Sequence, residues 1–279
     1  VPYIPFYKET IDTITGIPLP GYFQDNVDDR YSVPVAVNMF MRSDWRDTMM
    51  AHILQSPLTP RGKYVYSDND FIFLGKIVEQ LTGKPLNQYV KESFYDPLQM
   101  RSTTFNAAAT LPLQQVAPTE QEKYFRLQQL QGYVHDPGAA MFGGVAGHAG
   151  LFSNAYDLAK LYQVLLNGGE WNGRRFFRKE TIDYFSSYQS DSSRRGLGFD
   201  KPEKDNATRK DPYPAKSASP QTYGHTGFTG TCVWVDPAQD IIFIFLSNRV
   251  NPMGGDNKKL IELGVRNAIL ENIYQSIIQ

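Results

Sequence analysis

Two apolar runs near the C-terminal end constrain the fold more than any other part of the chain. Gly230–Val235 and Ile241–Ser247 are separated by Asp236-Pro237-Ala238-Gln239-Asp240. Runs rich in β-branched and aromatic residues, split by a proline-containing polar segment, predict an antiparallel hairpin. The longest apolar run, Ile241-Ile242-Phe243-Ile244-Phe245-Leu246, suits a buried strand. It is too short to cross a bilayer, which takes about 20 residues. After the hairpin the pattern turns helical, and a last helix is expected over residues 257–277, with Leu260, Leu263, Ile269 and Ile273 among its apolar positions. The clearest helix upstream covers Asp68–Leu81. There Phe71, Leu74, Ile77, Val78 and Leu81 form one stripe, Asp68 stands as the N-cap and Gly83 as the stop.

Shorter helices are expected over 44–54, over 86–94 before Asp96-Pro97, and over 155–166, the last capped by Ser153 and ended by Gly168-Gly169. Residues 1–35 read as an ordered loop, and Pro57, Pro60 and Gly62 as a turn. Residues 105–135 look irregular around a Gln-rich stretch, and 189–222 read as a mobile surface excursion. The region 36–190 is then mostly helical, and 220–279 is a hairpin with a closing helix. No repeat or linker divides residues 1–279, so one domain is expected. Its class is α/β of the α+β type, an antiparallel sheet flanked by helices with a helical subdomain.

Composition narrows the function classes. The formal net charge is −1 and no long basic run occurs, which argues against a nucleic-acid surface. The seventeen Tyr and seventeen Phe read first as core packing. The single cysteine, Cys232, rules out an internal disulfide and sits in an apolar strand as a small core residue. The four histidines show no His-x-x-x-His spacing, so neither metal nor cofactor is expected. The loop Gly143–Gly150 lacks the Gly-Lys-Ser/Thr of a nucleotide cradle.

Four segments carry a resemblance. They are Tyr66-Ser67-Asp68 with its helix through Thr82-Gly83; Phe94-Tyr95-Asp96-Pro97-Leu98 with Thr103-Thr104-Phe105; Gly132-Tyr133-Val134-His135-Asp136-Pro137 through Gly147-His148-Ala149-Gly150-Leu151-Phe152-Ser153; and His225-Thr226-Gly227. In this order they resemble the serine beta-lactamase/penicillin-binding-protein superfamily, in its class C-related esterase and carboxypeptidase branch. The resemblance implies a beta-lactamase/transpeptidase-like fold and acyl transfer on an ester, beta-lactam or D-amino-acid peptide. It implies that Tyr66 is the base or proton relay. A tyrosine titrates near ~10, so that role needs positive charge close by. Asp68 stands in the asparagine place of Tyr-x-Asn, keeping an acceptor oxygen but losing the amide donor. A second register, Ser67-Asp68-Asn69 as a class A Ser-Asp-Asn, is set aside because Leu74-Gly75 sits at the offset of the tyrosine register. By the same resemblance His225 takes the lysine place of Lys-Thr-Gly, which implies that Thr226 and Gly227 line the substrate and that the Phe228 backbone N–H is half of an oxyanion hole. Outside these motifs Tyr66 and His225 would pass for ordinary packed residues. His135, Asp136 and His148 fall in a scaffold loop of the pattern, and His52 has no partner.

The third wall of such a site is Ser-x-x-Lys, and no serine here has a lysine three residues on. The resemblance therefore implies that the N-terminal strands and nucleophile helix are missing and that these residues alone are inactive. The sheet edge so exposed would be open to a second copy or to the missing part. Two functions stay open. One is a serine hydrolase whose nucleophile lies upstream. The other is a non-catalytic module binding cell-wall peptide or glycan, since related domains occur fused behind bacterial glycoside hydrolases of the beta-N-acetylglucosaminidase type. The family alone implies a bacterial extracytoplasmic setting, in the periplasm or cell envelope. The expected partner is a small-molecule or cell-wall peptide substrate, with no nucleic acid and no membrane span in this chain.

Overall fold

A computed structural model describes residues 3–58, 64–252 and 254–277. Its internal packing divides the chain into two units. Unit 1 comprises Val1–Pro97, Arg101–Ser153 and Val250–Gly254, and unit 2 comprises Leu98–Met100, Asn154–Arg249 and Gly255–Gln279. The turn expected at Pro60 and Gly62 lies outside the described residues. Among them, no helix is long and apolar enough to cross a membrane.

Unit 1 begins with a small antiparallel sheet. β1 (Phe23–Gln24) and β2 (Val33–Ala36) flank β3 (Met39–Met41). α1 (Trp45–Gln55), α2 (Asp68–Thr82) and α3 (Leu86–Val90) follow, and α3 runs on into one π-helical turn, Lys91–Tyr95. The stretch expected to be irregular holds β4 (Thr104–Phe105), α4 (Ala107–Thr110) and a hairpin of β5 (Pro118–Gln121) and β6 (Gln129–Gln131). α5 (Pro137–Met141) and β7 (Leu151–Phe152), which pairs with β4, complete the unit. Phe6, Met41, Met49, Phe125, Leu130 and Met141 lie in its core.

Two expectations for α2 change. Ser67, not Asp68, is the N-cap: its backbone is extended and its Oγ accepts from the Asn69 amide at 3.2 Å. Asp68 is the first helical residue. Gly83 closes the helix as expected, with φ of 66°. The apolar stripe does not face the core, since Leu74, Ile77 and Leu81 are 51%, 49% and 81% exposed. The buried side holds Ile72 and Gly75. The reason is a close backbone approach. The 143–150 loop rests on α2 where Gly75 and Gly147 meet, and a Cβ on Gly147 would run into the Phe71 carbonyl oxygen. A glycine seam set the buried face, and the stripe was left outside it.

Unit 2 is built on α6 (Ala155–Leu166), α7 (Lys179–Ser186), a two-residue ribbon of β8 (Glu170–Trp171) and β9 (Arg174–Arg175), and the predicted sheet. The α6 cap is Asn154, whose Oδ1 accepts from the Asp157 amide at 2.8 Å. Ser153, expected in that role, instead meets Thr103 Oγ1 at 2.7 Å. The hairpin is β11 (Cys232–Asp236) and β12 (Ile241–Phe245), and β10 (Tyr223–Thr226) adds antiparallel to β11, giving the order β10-β11-β12. The closing helix is two: α8 (Lys259–Glu262) and α9 (Val265–Ile277), broken at Leu263-Gly264, where Gly264 takes φ of 56°. Trp234, Phe243, Leu270 and Tyr274 form the core with Cys232, whose burial pushes its thiol up to about 11. The segment 189–222 is no loose excursion. Ala215 and Ala218 sit in that core, and Asp200 pairs with Gly224 on the outer side of β10.

Candidate active site

Tyr66 and Asp68 lie in unit 1, and His225, Thr226, Gly227 and Phe228 in unit 2. Tyr66 is 58% exposed at the entry to α2. The Ser67 cap holds the turn that carries it. Asp68 is half-buried. Burial, with Asp136 adding to it and His148 opposing, holds its carboxyl above the usual carboxylate range.

In unit 2, His225 is partly buried near the end of β10. An Arg195 guanidinium N–H donates to its Nε2 at 2.7 Å. Arginine stays protonated, so Nε2 must accept, and the ring proton lies on Nδ1, which donates to the Thr226 carbonyl at 2.8 Å. Burial, with Arg195 and Arg194 adding to it against the Thr226 bond and Asp200, lowers the His225 pKa. His225 is thus a neutral imidazole whose outer nitrogen is already engaged. It is no substitute for a lysine's charge. The fixed cation beside this strand is Arg195.

Arg195 belongs to a network that no hydrophobic period in the chain announces. Asp200, 1% exposed, accepts from Arg194 Nε at 2.7 Å and from Tyr213 Oη at 2.9 Å, and stands 3.3 Å from Arg195 Nε. Glu203 holds the other side of Arg194 at 2.8 Å. Beyond His225 the chain turns tightly, with the Gly227 amide donating to the Thr231 carbonyl at 2.7 Å. A Cβ on Gly227 would meet Thr231 Oγ1, which accounts for glycine after Thr226. Phe228 is 63% exposed; its carbonyl accepts from Arg249 Nε at 2.7 Å, and the Arg249 guanidinium lies 4.4 Å from its ring centroid. Among the described residues no group of three or more His, Cys, Asp and Glu could hold a metal ion.

Replacing Arg195 with alanine is expected to raise the His225 pKa, because it removes a facing positive charge and the donor that forces Nε2 to accept. An NMR titration of the ring checks this. An unmoved midpoint would mean that burial alone sets it.

Residues 17–265 match the beta-lactamase family. The chain belongs to that family. A putative D-alanyl-D-alanine carboxypeptidase of Escherichia coli strain K12 is 40% identical over 221 residues, covering 74% of this chain and 50% of the relative. One of Salmonella gallinarum is 36% identical over 267 residues, 87% of this chain and 60% of the relative. The chain therefore spans half to three fifths of the length of these curated relatives. Two solved structures share the fold: a penicillin-binding protein homologue from Caulobacter crescentus, with TM-score 0.54 and 19% identity over 84% of this chain and 64% of that one, and the octameric penicillin-binding protein homologue from Pyrococcus abyssi, with TM-score 0.54 and 16% identity over 96% and 53%. The beta-lactamase/transpeptidase-like fold is mixed, with antiparallel sheets and helices, as the sequence predicted.

Proposed function

We propose that this beta-lactamase-family chain carries two of the motifs of a serine acyl-transfer enzyme, the Tyr66 turn in unit 1 and the His225-Thr226-Gly227 strand in unit 2, and that the whole protein acts on a D-alanyl-D-alanine-type peptide. The observation that carries the reading is the fixed guanidinium of Arg195 bonded to His225. A peptide ending in a carboxylate wants a permanent charge, and arginine keeps its charge where a half-buried histidine does not. Tyr66 takes the nucleophile's proton, and the Phe228 backbone N–H helps hold the oxyanion.

The nucleophile comes from outside these 279 residues, which hold no Ser-x-x-Lys. Two surfaces fit the remainder of a protein as long as the curated relatives. One is the exposed stripe Leu74, Ile77 and Leu81. The other is the outer edge of β12, which pairs with no strand among the described residues. A cell-wall substrate sets the work in the bacterial envelope.

The full-length gene product treated with a fluorophosphonate serine probe is expected to form an adduct on a serine outside this chain. Tyr66→Phe should slow that labelling by about 10²–10⁴-fold, the range of a lost general base. Unchanged labelling would remove Tyr66 from the mechanism. A folded protein that never labels would favour the non-catalytic cell-wall-binding module.

A further inference from the structure

The turn that carries the Phe228 N–H is held by side chains that the acyl-transfer reading leaves without a task. Thr226 pairs with Cys232, so residues 227–231 connect β10 to β11. Every carbonyl of that turn is engaged. Gly227 O accepts from the Gly230 amide at 3.1 Å, and Thr231 O accepts from the Gly227 amide at 2.7 Å. The remaining bonds come from residues just past β12 and from α9. Phe228 O accepts from Arg249 Nε at 2.7 Å and Thr229 O from the Arg249 amide at 2.9 Å. Gly230 O accepts from Ser247 Oγ at 2.8 Å, and Thr231 O from Arg266 Nη1 at 2.9 Å.

Arg249 makes the most of these contacts, and it is 9% exposed. Its guanidinium lies 4.4 Å from the Phe228 ring centroid. Its Nη1 donates to the Gly255 and Asn257 carbonyls at 2.9 Å and 3.2 Å, which ties the turn to the segment leading into α8. A Cβ on Gly230 would stand 2.5 Å from Ser247 Oγ and 3.5 Å from Arg249 Cγ, so glycine there lets the turn lie close on the arginine stem. Burial and the neighbouring Arg266 both lower the Arg249 pKa, with no carboxylate among the described groups opposing them. The bonds of this buried guanidinium go to backbone carbonyls.

The consequence is geometric. The Phe228 N–H belongs to the peptide whose carbonyl is Gly227 O. A trans peptide points its N–H and C=O to opposite sides. The Gly230 bond therefore turns the Phe228 N–H away from the interior of the turn. The following peptide is fixed at its other end, where Arg249 holds Phe228 O. Both peptide planes that meet at the Phe228 Cα are then set, one by the turn itself and one by the arginine.

We propose, resting on the hydrolase reading, that Arg249 is the positioning residue of the oxyanion turn: by clamping the Phe228 carbonyl and ring it keeps the Phe228 N–H aimed where the oxyanion forms.

The test uses the full-length gene product as parent, Arg249→Met and Arg249→Lys, each labelled with a fluorophosphonate probe at graded concentrations. Arg249→Met keeps an apolar stem and removes every side-chain donor. It is expected to slow labelling at saturating probe by about 10–100-fold, the scale of a displaced oxyanion donor. The half-saturating concentration should change by less than about threefold, because the lost interaction is made in the transition state. Arg249→Lys keeps the charge and one donor, and should fall between. A folded Arg249→Met protein that labels at the parent's saturating rate overturns the proposal, and so does a loss confined to probe binding. If Arg249→Met does not fold, Arg249→Lys decides: a slower saturating rate supports the clamp, and a rate equal to the parent's overturns it. Failure of both to fold makes Arg249 a plain stabiliser and overturns it too. A parent that labels no serine sinks the hydrolase reading, and amide hydrogen exchange then decides on the clamp. Amides of 227–231 should exchange roughly tenfold faster in Arg249→Met while those of β12 do not, and unchanged exchange would show that Arg249 does not hold the turn.

Discussion

Replacing Glu122 with alanine is expected to cost unit 1 about 3–5 kcal/mol, the usual price of stranding a buried charge by deleting its partner. Glu122 is 1% exposed and Arg126 4%. The Glu122 carboxylate accepts from the Tyr124 amide at 2.5 Å, the Phe125 amide at 2.7 Å, the Leu127 amide at 3.3 Å and the Arg126 amide. Arg126 Nε lies 3.6 Å away. Its other nitrogens donate to the Val134 and His135 carbonyls, each at 2.7 Å. One carboxylate thus closes the turn between β5 and β6, and its arginine pins the loop that leads into Asp136. Alanine leaves a buried guanidinium without its main counter-charge and several amides without an acceptor. Against a typical total of about 5–15 kcal/mol, the loss brings unit 1 near its limit. Urea unfolding with amide exchange across 118–136 reads it directly. Glu122→Gln keeps an acceptor but not the charge, and should fall between. A Glu122→Ala protein within about 1 kcal/mol of the parent would show that water or a shifted backbone replaces the carboxylate.

That turn also shows where the sequence stopped being readable. The stretch 105–135 has no hydrophobic period, because it is tied by side-chain amides and charges. Gln131 Nε2 donates to the Leu113 and Val116 carbonyls at 2.9 Å and 2.7 Å, and Gln128 bonds the backbone of Val37. Glutamines that stitch backbone look, in a sequence, like glutamines in solvent. The segment 189–222 was obscured in the same way, since Asp200, Arg194 and Arg195 pair with one another and give no apolar pattern. The hairpin was legible because β-branched and aromatic runs flank a turn, and both ends of α2 were nearly so because capping chemistry is local. The buried face of α2 was not, because it depends on two glycines far apart in the chain, Gly75 and Gly147, making room for each other. Tyr66 and His225 could be picked out from motifs. Arg195, thirty residues before the histidine it bonds, could be found only from the fold.

Lys201 gives unit 2 a pH-dependent effect that begins below the range in which tyrosines ionise. It is 2% exposed, its Nζ donates to the Thr222 carbonyl at 3.0 Å, and it lies 4.7 Å from the Tyr188 ring centroid. Burial, opposed by Asp236, lowers its pKa from 10.5 to about 8. The unfolded chain keeps this proton up to about 10.5 while the folded chain releases it near 8, so between those values the unfolded state binds more protons and stability rises with pH. The full rise is about 3 kcal/mol. Tyr213, Tyr223 and Tyr274 act in the opposite sense, because burial raises all three. Unfolded phenols ionise near ~10 while these hold their protons, so the gain reverses above that pH. Lys201→Met is expected to flatten the rise between about pH 8 and 10. At pH 7 it should stabilise the protein by about 1–2 kcal/mol, the charge penalty removed less the cost of leaving the Thr222 carbonyl without its donor. Unfolding midpoints at successive pH values decide it. A variant that is weaker at pH 7, or that keeps the alkaline rise, would mean that Lys201 is charged and well satisfied. The lysine borders Asp200 and reaches the residue just before β10. A stabilised variant that loses serine labelling in the full-length protein would then mean that the strand carrying His225 depends on this buried charge for its placement.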